Sequence, residues 1–195
     1  MPKSRWEDTR EREIRAKRDL ILRAATAHLN QHGYAGASMA RIAGELGLST
    51  NAPYYYFRSK EEILFGCFLR AQSLIDGLID DVQRTALAAN EKIRQFVAEL
   101  IALLEREPLP YPGHAIFLPP DRLAVVEENA ARHETRLAAI LADGIADGTV
   151  RECDPGITVR LLLNGLYSLD QPELKRRLPD GAYESEVLGM VERAL

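Results

Sequence analysis

Residues 38–60 read SMARIAGELGLSTNAPYYYFRSK, and the order of capping, small and apolar residues in this stretch decides the fold. Ser38 supplies a hydroxyl of the kind that accepts the open N–H groups at a helix start. Met39, Ile42, Ala43 and Leu46 follow it at helical spacing and form an inward face. Gly47 ends this short helix, Leu48 sits in the turn, and Ser49 caps a second helix running to about Tyr56. Two short helices, a glycine at the turn and a small residue at the crossing make a helix-turn-helix over residues 38–57. Ser59 with Glu62 three residues on then forms a capping box, opening a long helix from Lys60 to about Ala86.

Working outward, the apolar spacing is helical almost throughout, and nothing reads as a strand ladder. Residues 17–32 place Leu20, Ile21, Ala24, Ala25 and Leu29 on one face, and Gly33 stops that helix. Its start lies further back, because residues 10–18 are rich in helix formers. Asn90 caps a helix from Glu91 to Glu105 with Ile93, Phe96, Val97, Leu100, Ile101 and Leu104 on its apolar side. Residues 108–120 (PLPYPGHAIFLPP) hold five prolines and a glycine, which forbid a regular helix. The stretch is also apolar and aromatic, so it is expected to pack. Pro120 opens another helix, closed by Gly148. Asp154 and Pro155 read as N-cap and first helical residue of the next, and residues 182–194 form a last amphipathic helix with Tyr183, Val187, Leu188 and Val191 on one side. The expectation is an all-α chain of about nine helices, with a three-helix N-terminal domain over 1–60 and a helical domain over 61–195.

The charge is divided in the same way. The chain carries a net charge of −4, yet residues 1–60 hold 11 Lys and Arg against 6 Asp and Glu, while residues 61–195 hold 14 against 23. A basic head on an acidic body fits a head that meets phosphate. No apolar run is long enough to span a bilayer, and the polar N-terminus does not read as a secretory signal. Cys67 and Cys153 suggest neither a disulfide framework nor a metal knuckle, so a cytoplasmic protein with reduced thiols is expected. His28, His32, His114 and His133 show no metal-ligand spacing with the cysteines. A phosphate loop and a nucleophile elbow are both lacking. These patterns therefore support no enzyme reading, no metal and no cofactor.

In a helix-turn-helix the second helix enters the major groove and offers its first side chains to base edges. Here these are Thr50, Asn51 and Ala52, followed by Tyr54 and Tyr55. Asn pairs with adenine, and Thr and Ala methyl groups touch a thymine methyl. Tyrosine hydroxyls, Ser38, Arg41 and Lys60 are placed to reach phosphates, which set register. Three successive tyrosines argue against a hairpin buried inside a core, because they point around the helix and cannot all find hydroxyl partners there. Residues 3–18, with Lys3, Arg5, Arg10, Arg12, Arg15, Lys17 and Arg18, allow either an arm in the minor groove or a solvated helical extension.

The pattern Gly33-Tyr34, Gly36-Ala37-Ser38-Met39, Ile42-Ala43, Glu45-Leu46-Gly47-Leu48-Ser49, then Tyr54 to Phe57 and Ser59-Lys60-Glu61-Glu62, resembles the tetracycline-repressor (TetR) family of bacterial transcription regulators. The likeness is specific across about Leu20 to Leu69 and weaker beyond. It implies an all-helical homodimer whose N-terminal helices bind a palindromic DNA operator. It also implies a C-terminal body that binds a small-molecule effector and changes the spacing of the two heads. Pro53 departs from the pattern, since this position usually holds a bulky aliphatic residue. Proline disfavours helical geometry at Ala52, so the reading helix is expected to begin in altered form, which leaves a second reading: a helical small-molecule binder with weakened DNA recognition.

A regulator of this kind needs a largely apolar pocket with a few polar groups. Phe68, Phe96, Leu100, Leu103, Tyr111, His114, Phe117, Asn164 and Tyr167 are the candidates to line it. His114 and Asn164 stand out as polar groups in apolar stretches, where they need partners. The aromatic character of the set favours a hydrophobic effector. Ile157, Leu161, Leu166 and Leu169 on one late helix and Val187, Leu188 and Val191 on the last offer apolar faces for a four-helix dimer interface.

Overall fold

Gly33, Gly47 and Gly148, the three residues expected to stop helices, are the three with positive φ among the described residues, at 69°, 64° and 79°. Such values suit a residue without Cβ, and they punctuate an all-helical chain. The computed structural model describes residues 5–169 and 182–194. The expected connection from Gln171 to Gly181, the side chains of Leu169 and Tyr183, and Lys3 lie outside what is described. The helices are α1 (Arg5–Gly36, broken at Gly33), α2 (Met39–Glu45), α3 (Lys60–Arg84), α4 (Ala89–Arg106), α5 (Pro120–Asp147), α6 (Pro155–Leu169) and α7 (Ala182–Ala194). Two 3-10 helices, Ala52–Tyr55 and Pro112–Phe117, complete the set among the described residues.

The chain forms two compact units. The first comprises the residues up to Ala71 together with Pro108–Val126, and the second Gln72–Glu107 with the residues from Glu127 on. The core of the first is built from Ile21, Ala25 and Leu29 on α1, Met39 and Ile42 on α2, Phe57, and Ile63, Leu64, Cys67 and Phe68 on α3. Leu118 and Val126 close the same cluster. The α1 stripe is narrower than its sequence suggests. Ile21, Ala25 and Leu29, four residues apart, are buried, whereas Leu20 is half exposed because one residue is 100° of helical rotation. The proline-rich stretch packs as expected, with Leu109 and Leu118 buried. It is held by Asn30, whose amide donates to the Leu109 carbonyl at 2.8 Å and accepts from the Tyr111 N–H at 3.3 Å.

In the second unit the apolar face of α4 is enclosed as expected, with Ile93, Phe96, Val97, Leu100, Ile101 and Leu104 all buried. The start of this helix differs from the expectation. Its N-cap is Ala88, and the Glu91 carboxylate accepts the Ala88 N–H at 3.4 Å, so Asn90 lies inside the first turn. The start of α6 agrees, with Asp154 Oδ1 accepting the Ile157 N–H at 2.8 Å. Val187 and Val191 on α7 are buried, and α7 packs on α4 of its own chain. Leu166 is also internal. Among the described side chains, the large apolar residues left exposed on these two helices are Ile157, Leu161 and Met190.

Candidate nucleic-acid interface

α2 begins as its sequence dictates: Ser38 is extended, and its Oγ accepts the Arg41 N–H at 3.3 Å. Ala43 is fully buried at the crossing. The helix ends through the Leu48 N–H, which donates to the Ala43 carbonyl at 2.9 Å across the Gly47 turn. The second helix departs from the expectation. An α-helix from Ser49 to Tyr56 is replaced by a 3-10 helix of four residues, Ala52–Tyr55, whose N-cap is Asn51 with no side-chain cap bond. Ser49 contributes only its carbonyl, accepting from the Ala52 N–H at 2.8 Å. Pro53 explains the change: it has no N–H to give to an α-helical ladder and its ring disfavours α geometry at Ala52. The bonds that remain run three residues back, Tyr54 to Asn51 and Tyr56 to Pro53, with one longer bond from Phe57 N–H to the Pro53 carbonyl.

This geometry sorts the side chains. Pro53 and Phe57 face the core and are buried. Arg41, Thr50, Asn51, Tyr54 and Tyr55 are exposed, Tyr55 at 84%, while Ser38, Ala52 and Lys60 are half-buried. The exposed members lie on one short stretch of chain directly after the Gly47 turn, save Arg41 on α2. Tyr56, the third of the run, is half-buried.

The start of α3 is anchored from two sides. Ser59 Oγ accepts the Glu62 N–H at 3.2 Å, and the Glu62 carboxylate reaches the N–H of Arg58 at 2.7 Å, one residue before the reciprocal partner a capping box would use. Tyr34, just after the α1 break, donates its hydroxyl to the Glu61 carboxylate at 2.9 Å. Burial, then the hydrogen bond to Glu61 and its negative charge, push the Tyr34 hydroxyl up to about 12. The Glu61 carboxyl is held below its usual range by its backbone N–H, by Ser59 and by Tyr34. The Lys60 ammonium lies 4.2 Å from the centre of the Tyr34 ring, a cation–π contact, and Phe117 stacks on that ring at 4.5 Å.

Sequence reasoning missed three members of this unit. Arg18 donates to the Tyr56 carbonyl at 2.6 Å and lies 4.3 Å from the centre of the Phe57 ring. His28, buried, places Nδ1 2.9 Å from Glu45 on α2. Tyr34 is the third. Their partners lie 38, 17 and 27 residues away, so no local pattern marks them. The N-terminal segment is helical from Arg5, and Arg15 pairs with Glu11 one turn back. Of the two readings for it, the helical extension is the one found.

The residues expected to line an effector pocket fall in both units. Phe68, Tyr111, His114 and Phe117 belong to the first, where the Tyr111 and His114 rings stack at 5.9 Å. His114 Nε2 is buried with no hydrogen-bond partner among the described residues, and burial lowers its pKa. Phe96, Leu100, Leu103, Asn164 and Tyr167 belong to the second unit. Phe96 and Leu100 are wholly buried, and burial pushes the Tyr167 hydroxyl up to about 12. Asn164 is exposed, and its amide donates to the Arg160 carbonyl in its own helix at 2.8 Å. No helix among the described residues is long and apolar enough to cross a membrane.

A capped α2, a glycine turn, and a reading segment with its apolar side in and its polar side out define a helix-turn-helix transcription regulator. Residues 21–67, which hold the helix-turn-helix, match the family described as bacterial regulatory proteins, tetR family. The chain is 26% identical over 145 residues to a fatty acid metabolism regulator protein of Bacillus subtilis (strain 168), spanning 72% of this chain and 73% of that one. Among solved structures it is similar to the TetR family transcriptional regulator PfmR from Thermus thermophilus. That likeness has a TM-score of 0.74 at 28% identity and covers 90% of this chain and 96% of PfmR. It shares its fold with AibR, solved in complex with isovaleryl coenzyme A and operator DNA, at a TM-score of 0.70 and 21% identity, over 89% of this chain and 95% of AibR.

Proposed function

We propose that this protein is a cytoplasmic, non-catalytic repressor that holds a palindromic operator as a homodimer and is controlled by a small hydrophobic effector. The observation that carries the reading is the sorting around Pro53. Core-facing Pro53 and Phe57 leave Thr50, Asn51, Tyr54 and Tyr55 directed to solvent immediately after the turn. In this reading Thr50, Asn51 and Ala52 meet base edges, while Ser38, Arg41, Tyr54, Tyr55 and Lys60 set register on phosphates. DNA binding belongs to residues 1–60, and effector binding and dimerisation to residues 61–195. Exposed Ile157, Leu161 and Met190 supply an apolar face for the two-fold mate.

An acyl thioester is the effector class supported best. One relative is a fatty acid metabolism regulator, and a protein of the same fold was solved with isovaleryl coenzyme A. His114 is the favoured polar contact, since a buried ring nitrogen without a partner calls for one.

The test has two stages. Duplexes selected from a random pool by the folded protein should share a palindrome, and binding to them should weaken steeply with added salt. A short-chain to long-chain acyl-CoA series should then shift the affinity for the selected duplex. A folded dimer that enriches no sequence at low salt would sink the repressor reading. Pro53 gives the competing reading its support, because a 3-10 reading helix departs from the usual geometry. Such a protein would bind acyl-CoA and leave every duplex unselected.

A further inference from the structure

The four-residue 3-10 helix that carries Tyr54 and Tyr55 has little to hold it in place. Its hydrogen bonds have the poorer three-residue geometry, and its N-cap offers no side-chain bond. Its C-terminal end is different. Arg18, half-buried on α1, donates from Nη1 to the carbonyl of Tyr56, the C-cap residue, at 2.6 Å. The same guanidinium places its central carbon 4.3 Å from the centre of the Phe57 ring. Phe57 is among the most deeply buried side chains of the unit. A fixed positive charge at a helix C-terminus is favourable, and the guanidinium can bond a carbonyl in its plane while stacking on a ring across its face. Arg18 therefore grips the reading segment at its C-terminal end, beside buried Phe57.

We propose that Arg18 is a positioning residue for DNA reading: it sets the pitch of the Asn51–Tyr55 segment and does not itself contact phosphate. The proposal rests on the DNA-binding reading above. It reassigns one of the basic residues of the N-terminal segment from electrostatics to geometry. A phosphate contact adds to affinity for every duplex and to the salt slope, whereas a strut alters which duplex is preferred.

The experiment compares Arg18→Ala and Arg18→Lys with the wild-type protein. Binding is measured against a duplex selected by the wild type and a scrambled duplex of equal composition, across a salt series. Hydrogen exchange is measured on the same proteins without DNA. Both variants are expected to lose about tenfold in selected-over-scrambled preference with the salt slope unchanged. The Tyr56 and Phe57 amides should exchange at least tenfold faster, while the Ile42 amide in α2 stays at its wild-type rate. The proposal is overturned if Arg18→Ala lowers the salt slope by about 0.9 and keeps the preference while Arg18→Lys behaves as wild type. It is equally overturned if exchange rises uniformly through the unit or does not change. Should Arg18→Ala fail to fold, Arg18→Lys carries both readouts, because a lysine ammonium lacks the planar fork that bonds the carbonyl in its plane while stacking its face on the ring. Should the wild type select no duplex, the DNA reading fails and the exchange rates still decide the strut.

Discussion

The Asp76 carboxylate on α3 lies 3.0 Å from Nε2 of His133 on α5, a buried imidazole. Arg132 and Arg136 reach the same carboxylate at 3.3 and 3.1 Å, and Arg136 continues to Asp80 and Gln83. Burial lowers the His133 pKa; Asp76 opposes the shift and the two arginines add to it. A group whose folded pKa lies below its unfolded value is protonated more readily by the unfolded chain. Its contribution is complete above the unfolded pKa, about 6.5, and stability falls as pH drops below that value toward the folded pKa. Thermal melts between about pH 7.5 and 5.5 should show this decline, and His133→Asn should flatten it in part. His114, lowered by burial as well, keeps the remainder. A melt that is flat over this range in the wild type would refute the assignment.

Pro53→Leu restores a backbone N–H in the reading segment and keeps an apolar side chain at a buried position. The segment is expected to lengthen into an α-helix. Duplex selection should then yield a different preferred sequence, with the salt slope unaltered because the exposed cations are the same. Recovery of one common sequence from both proteins would show that the 3-10 geometry has no part in base choice.

Two glycines in tight places should respond differently to alanine. At Gly144 a Cβ would come within 2.5 Å of the Ala89 Cβ and 2.6 Å of Val150 Cγ2. The first of these is fixed to backbone, so Gly144→Ala should destabilise by about 1–3 kcal/mol through overpacking. At Gly66 the nearest atom is Leu22 Cδ2 at 2.7 Å, the far end of a flexible side chain. Gly66→Ala should cost visibly less. Urea unfolding of the two variants side by side checks the order.

The two thiols should separate cleanly. Cys67 is buried, its Sγ 3.5 Å from the Leu22 carbonyl, and burial pushes it up to about 12. Cys153 is partly exposed. A thiolate is the reactive form, so a chromogenic disulfide reagent should titrate one thiol in the native protein and two in denaturant. Two fast thiols in the native protein would contradict the burial of Cys67.

Local chemistry was readable and distant contacts were not. The caps at Ser38 and Asp154 and the stops at Gly33, Gly47 and Gly148 follow from single residues acting on neighbours, and all are found. The α4 stripe follows from periodicity. Asn90 misled because Ala88 can cap with its backbone alone when Glu91 reaches back. Pro53 signalled an altered helix, yet the extent of the change depends on the whole local ladder. The struts Arg18, Asn30 and Tyr34 act on partners far along the chain, where neither spacing nor composition speaks. Asn164 shows a related limit: a polar residue in an apolar run needs a partner, and its own helix supplies one through Arg160.

The first unit is not a continuous stretch of sequence. Its core takes Leu118 and Val126 from far beyond Phe68, and Asn30 closes on backbone 79 and 81 residues away. During synthesis the ribosome must therefore release the chain through α4 and the proline-rich stretch before the head can finish its core. Until then the cluster lacks Leu118 and Val126, and a nascent or truncated head exposes apolar surface to whatever lies near. Folding order, as much as final structure, thus binds the readiness of the DNA-reading end to the middle of the chain.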